Sequence, residues 1–139
     1  MSRDYPTRPM VGLLAIVRRG DRFLLVRRAR EPNKGRWGFP GGVQELGEAV
    51  VDGARRELAE ETALLAGGGQ AITTLDAIDR DDAGRIRYHY TLIVVLMRDV
   101  TGEPVAGDDA AEVGWFGLAD LATLPAIAAV EPLMRQLLD

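Results

Sequence analysis

Glu57, Glu60 and Glu61 crowd three carboxylates into about one helical turn, and this cluster constrains the chain more than any other feature. Side chains at i, i+3 and i+4 share a helix face, and like charges so placed repel by roughly 0.2–0.5 kcal/mol per pair. A strong reason to keep such a cluster is a bound cation: hard divalent ions such as Mg²⁺ take carboxylate oxygens and work with phosphate substrates. The surrounding residues predict a helix from about Glu48 to Leu65. At 100° per residue from Val50, the apolar Val51, Ala54, Leu58 and Leu65 fall between about 0° and 100°, and Glu57, Glu60 and Glu61 at about 340°, 280° and 20°. The acidic stripe therefore runs along the edge of the packed face, where a cleft can form. Gly53 lies on the acidic side, one turn before Glu57. It reads equally as clearance for a phosphate group or as a tolerated surface glycine, at a cost of about 1 kcal/mol relative to Ala.

The acids belong to a longer pattern: Gly42, five residues, Glu48, seven residues, then Arg56-Glu57-Leu58-Ala59-Glu60-Glu61-Thr62-Ala63-Leu64. This segment resembles the Nudix box, in register at Gly42, Glu48, Arg56, Glu57, Leu58, Glu60, Glu61 and Leu64. Ala63 departs from it, standing where the family has the glycine that helps the helix end and the chain turn. The run Gly67-Gly68-Gly69 is expected to take over that turning role.

Composition sets the outer limits. At 139 residues the chain is read as one domain, 1–139, with 1–9 a polar tail carrying Pro6 and Pro9. A net charge of −4 argues against non-specific nucleic-acid or anionic-membrane binding. With no cysteine and a single histidine, His89, disulfides and thiolate or multi-histidine zinc sites are excluded. The first residues contain no apolar signal segment, and no apolar run is long enough to cross a bilayer. A soluble cytoplasmic protein is expected, and a homodimer is left open.

Strands are expected at Met10–Val17 and Arg22–Arg28, joined in a hairpin by Gly20-Asp21. Residues Ala29–Gly42 read as a Pro- and Gly-rich loop. After the helix, strands are expected at Ala71–Ile78, Ile86–Arg98 and Glu112–Phe116. From Leu118 to Leu138 the pattern is helical but broken by Pro125 and Pro132. A short helical turn should therefore precede a helix that starts at one of the prolines. The fold class is α/β (α+β). The resemblance sharpens this to an α/β/α sandwich with a central mixed sheet and a loop–helix–loop metal-binding motif.

The same resemblance implies hydrolysis of a nucleoside diphosphate linked to a further group, with Mg²⁺ or Mn²⁺ as cofactor. It assigns Glu57 and Glu61 as principal metal ligands, Glu60 as a third or water-mediated one, and a backbone carbonyl near Gly41-Gly42 as a further one. Arg56 matches the arginine that orients a box carboxylate; plain pairing with Asp52 or Glu60, each four residues away, is the bland reading. Glu48 sits where a negative charge complements a helix start, which suits a structural role. The general base is either a box glutamate or an acid of a later loop, where Asp108, Asp109 and Glu112 are candidates. For substrate contacts, Trp37 and Phe39 read as base-stacking residues or as loop anchors, and Arg27, Arg28 and Arg36 as phosphate contacts or solvated charges. On the strand from Ile86, Arg87, His89 and Thr91 share one face and Ile86, Tyr88, Tyr90 and Leu92 the other. The polar face is expected to line a pocket, with His89 either a ligand contact or a structural histidine.

Beyond the box, Gly35-Arg36-Trp37-Gly38-Phe39-Pro40-Gly41-Gly42 and the stretch Arg85–Phe116 resemble compact bacterial ADP-ribose pyrophosphatase-like proteins. The implied substrate is ADP-ribose or a related nucleotide sugar. Some of those enzymes carry a proline where this chain has Ile78-Asp79-Arg80, so a nucleoside triphosphate pyrophosphohydrolase is the alternative. A non-catalytic nucleotide sensor is the alternative of another class. Such sensors often lose box carboxylates, whereas this chain keeps Glu57, Glu60 and Glu61.

Overall fold

In the computed structural model, which describes residues 3–139, two β-sheets are held between two helices. The chain runs through β1 (Met10–Ile16), β2 (Arg18–Arg19), β3 (Arg22–Arg28), β4 (Trp37–Gly38), β5 (Gly41–Val43), α1 (Val50–Thr62), β6 (Leu65–Arg80), β7 (Ile86–Thr101) and β8 (Ala110–Phe116). A 3-10 turn (Leu118–Ala122) and α2 (Val130–Leu138) complete it. The first sheet has the order β5-β1-β7-β6 and is mixed: β1 is parallel to β7 and antiparallel to β5, and β6 is antiparallel to β7. The second is antiparallel, β2-β3-β4 with β8 also on β3.

Strand alternation decides which helix each residue meets. Ala15, Leu24 and Val95 point to one side and pack with Ala54 and Leu58 of α1. Their neighbours Ile16, Phe23, Leu25 and Val94 point to the other and pack with Val130, Leu133 and Met134 of α2. Strands buried on both faces carry nearly continuous apolar runs. This is why Met10–Ile16 and the middle of β7 show no period-two pattern in the sequence.

The expected strands and the C-terminal helix are present, with Pro132 in the first turn of α2, where a proline is tolerated. Four expectations change. Gly20-Asp21 turns β2 back onto β3 in the second sheet and does not join β1 to β3, because β1 pairs with β5 and β7 in the first. The loop Ala29–Gly42 also holds β4 and all but the last residue of β5. The helix is shorter than expected, Val50–Thr62, with Glu48 ahead of it. Gly67, Gly68 and Gly69 do not turn the chain; they lie inside β6, which pairs with β7 from Leu65 to Arg80. The turn is made by Ala63 itself, left-handed at φ 63°, with its N–H on the Ala59 carbonyl at 3.0 Å. Of the expected tail, Met1 and Ser2 lie outside the described residues. Tyr5 is tied to β7 through its N–H on the Arg87 carbonyl at 2.7 Å.

A left-handed alanine is strained where glycine is not. Ala63→Gly should therefore raise stability by about 0.5–1 kcal/mol, seen as a higher urea midpoint at unchanged m. A lower midpoint would show that the Ala63 methyl contributes packing that outweighs the strain.

Candidate active site

Close backbone approach builds the site. A Cβ at Gly53 would collide with Leu13 of β1 and with Glu48 Oε1, so glycine lets α1 sit directly on the sheet. That replaces the reading of Gly53 as a tolerated surface glycine, since it is buried against Leu13 and Glu48. On β5, Gly42 is paired with Leu13, and a Cβ on Gly42 would overlap the Glu57 carboxylate. Next to it the Gly41 N–H donates to Glu61 Oε2 at 2.7 Å. The Gly41-Gly42 backbone thus lies against the Glu57 and Glu61 carboxylates.

Arg56 arranges the acids. Its Nε and Nη2 donate to Glu48 Oε2 and Oε1 at 2.7 and 3.0 Å, a two-pronged contact. Its Nη1 reaches Glu57 Oε1 at 2.8 Å and Glu60 Oε2 at 3.2 Å, and its Nη2 also reaches the Val43 carbonyl at 3.2 Å. Asp52 is not among its partners; it pairs with Arg55 at 3.6 Å. Glu48 accepts the Glu45 N–H as well, and the Arg56 contact holds its pKa below the ordinary carboxylate value.

Burial dominates at the other two acids. Glu57 is pushed above its ordinary pKa because burial outweighs the contact with Arg56. Glu61, only 7 % exposed, is pushed up to about 8 by burial, offset in part by the Gly41 N–H and reinforced by Glu57. Among the described residues, no three acids or imidazoles are gathered about one point, since Glu60 turns to Arg56. The donor set nonetheless fits a hard divalent cation: two adjacent carboxylates that burial makes costly to ionise, oxygen donors throughout, and glycine backbone beside them.

The later loop reaches the same corner. The Val105 and Gly107 N–H groups cap the Thr62 and Glu61 carbonyls at 2.8 and 2.9 Å, meeting acceptors that a helix end leaves open. Asp109 follows, and its charge contributes to the raised pKa of Glu61. Asp109 is paired with Arg30 at 2.8 Å and Glu112 with Arg27 at 2.8 Å; Asp108 is exposed.

A cleft of about 400 Å³ opens beside Gly41 and Gly42, on the α2 side of the sheet. Phe39, Tyr88, Tyr90, Leu92 and Ile127 line it, and Arg28 borders it with Nε donating to the Pro32 carbonyl at 2.6 Å. The expected pocket face of β7 is therefore reversed: Tyr88, Tyr90 and Leu92 line the cleft, while Arg87, His89 and Thr91 point away from it. Alternation gave the two faces, but which faced inward depended on the position of α2. Trp37 is an anchor: it is 8 % exposed, packs edge-on to Phe116 at 4.9 Å and does not reach the cleft. Phe39, equally buried, does both, meeting Phe23 edge-on at 6.2 Å and lining the cleft. Arg27 and Arg36 do not line it.

Comparison with known proteins decides the family. The sequence pattern of the NUDIX domain matches residues 6–138. This chain belongs to the NUDIX family. It is 36 % identical over 120 residues to an ADP-ribose pyrophosphatase of Methanocaldococcus jannaschii, spanning 86 % of this chain and 67 % of that one. The crystal structure of a MutT NUDIX hydrolase from Burkholderia pseudomallei superposes with a TM-score of 0.81 at 32 % identity, over 93 % of this chain and 98 % of that one. A bifunctional NMN adenylyltransferase/ADP ribose pyrophosphatase from Francisella tularensis gives 0.70 at 28 %, over 94 % of this chain and 41 % of that one. As a NUDIX hydrolase the protein acts on phosphoanhydride bonds, a pyrophosphohydrolase of a nucleoside diphosphate linked to a further group.

The raised pKa of Glu61 gives a pH signature in metal-free protein. In the unfolded chain the group ionises near 4.5, and in the folded protein near 8. Between these values the folded state holds the extra proton, so Glu61 makes stability fall as pH rises through the window. Glu61→Gln should remove that slope and hold or raise the melting temperature above pH 8. Parallel pH profiles for the two proteins, measured in chelator, would refute the assignment.

Proposed function

We propose that the protein cleaves ADP-ribose, or a closely related nucleoside diphosphate sugar, within its diphosphate, with Mg²⁺ or Mn²⁺ as cofactor. The similarity to the Methanocaldococcus jannaschii ADP-ribose pyrophosphatase carries this reading. The cleft supports it: aromatic walls offer Phe39, Tyr88 and Tyr90 to a base or sugar, and its glycine floor leads to the two carboxylates. Water is to attack one phosphorus of the bridge, giving AMP and ribose 5-phosphate from ADP-ribose.

In this reading Glu57 and Glu61 hold the cation, with Glu60 contributing directly or through water and the Gly41-Gly42 backbone offering a carbonyl. A cation held there would neutralise the bridging phosphates and acidify a bound water. Arg56 takes no proton; it fixes the direction of Glu57 and Glu60 while Glu48 fixes Arg56. Asp109 is the acid of the later loop nearest in effect to Glu61, so it is the first candidate to accept the water's proton, ahead of Glu112.

The test is turnover with products identified by mass. Activity should vanish in chelator and return with Mg²⁺ or Mn²⁺. Glu61→Gln should lower turnover at least about a hundredfold, since an electrostatic group at a reacting phosphate is typically worth that much. Triphosphates cut to monophosphate and pyrophosphate with ADP-ribose untouched would replace the substrate but keep the reaction class. Binding without cleavage of any diphosphate-linked compound would make the protein a sensor.

A further inference from the structure

We propose that the segment Arg3–Tyr5 is part of the substrate site, with Arg3 a phosphate-binding residue held over the cleft by Tyr5. Three contacts fix the segment on the β6–β7 hairpin. The Tyr5 N–H donates to the Arg87 carbonyl at 2.7 Å, the Tyr5 hydroxyl donates to Asp81 Oδ2 at 2.9 Å, and the Arg85 guanidinium stacks on the Tyr5 ring at 4.4 Å. Asp81 is itself locked, accepting the Ala83 and Arg85 N–H groups at 3.0 and 2.9 Å. The anchor is therefore a built turn and not a loose end.

From this anchor Arg3 and Asp4 extend to line the cleft beside Tyr88 and Gly42. Asp4 hydrogen-bonds the Tyr88 hydroxyl, which ties the segment to the cleft wall. Arg3 is close enough for its charge to act on the Glu57 carboxylate. Two arginines line the cleft, and they differ in availability. Arg28 is engaged with the Pro32 carbonyl, whereas Arg3 makes no hydrogen bond or ion pair among the described residues. An exposed guanidinium on the cleft wall, near enough to the Glu57 carboxylate for its charge to act there, is suited to a dianionic bridge that reaches from the cleft toward the acids.

This inference rests on the diphosphate reading above, so its test separates the two. Affinity for ADP-ribose is measured in Ca²⁺, alongside adenosine as a phosphate-free probe and alongside turnover in Mg²⁺. Arg3→Gln should weaken ADP-ribose binding and raise KM by about tenfold to a hundredfold, the range for a lost hydrogen bond to a charged group. kcat and adenosine affinity should stay within about threefold, and Arg3→Lys should recover part of the loss because charge is kept. Tyr5→Phe, which removes only the hydroxyl contact to Asp81, should raise KM in the same direction by less. Unchanged ADP-ribose affinity in Arg3→Gln would overturn the proposal, as would an equal loss for adenosine. Wild-type protein that cleaves no diphosphate would remove the pyrophosphohydrolase reading but leave the affinity comparison to decide the role of Arg3.

Discussion

The guanidinium of Arg56 lies among Glu48, Glu57 and Glu60 and also reaches the Val43 carbonyl at the end of β5. With Glu45 at 3.6 Å, five anionic or carbonyl partners around one cation link the start of the motif, the helix and the glycine strand. Without Arg56, the burial that raises the pKa of Glu57 would be less opposed, in the same corner where burial and Glu57 raise that of Glu61. Glu48 shares the cation and leaves it only partly available to Glu57. Burial can therefore keep the pKa of Glu57 raised, and the acid retains a demand for further positive charge. A lysine could not replace this arrangement, since a point charge lacks the planar fork that meets both Glu48 oxygens.

Backbone proximity is the second constraint, and it comes from absent side chains. Gly53 lets α1 approach β1, and Gly42 lets Glu57 approach β5. Both glycines are required by what would occupy the Cβ position. The helix carries the acids, but the strand determines where they end up. The site is thus a property of the α1–β5–β1 contact.

Much of this was legible in the chain. The carboxylate cluster, the strands Arg22–Arg28 and Ile86–Arg98 (the latter running on to Thr101) and a C-terminal helix with Pro132 in its first turn follow from spacing and periodicity, which are local, while the roles of the box residues came from the family resemblance. What was not legible depended on partners distant in sequence. Gly67-Gly68-Gly69 has the composition of a turn, yet pairing with β7 holds it extended. Ala63 has a poor residue type for a left-handed turn, yet helix end and strand start leave it no alternative. The two faces of β7 were separable, but the identity of the inner one awaited α2 and the segment around Tyr5. Trp37 and Phe39 stand two residues apart in one loop, and only three-dimensional packing distinguishes the anchor from the cleft wall.

The split of neighbouring residues between two cores has a consequence for motion. Val94 belongs to the core under α2 and Val95 to the core under α1, so β7 cannot slip by one residue without exchanging both interiors. The same strand supplies Tyr88, Tyr90 and Leu92 to the cleft wall. That wall therefore shares the protection of the most deeply buried structure and should open only with global unfolding, on the timescale of the slowest-exchanging amides. The pieces laid against the wall from outside are the 29–36 connection, which brings Glu31, Pro32 and Asn33 to the cleft, and the segment before β1, which brings Arg3 and Asp4. The half of the site on β7 thus has its geometry set by the two cores, and the other half by contacts made along the chain's outer segments.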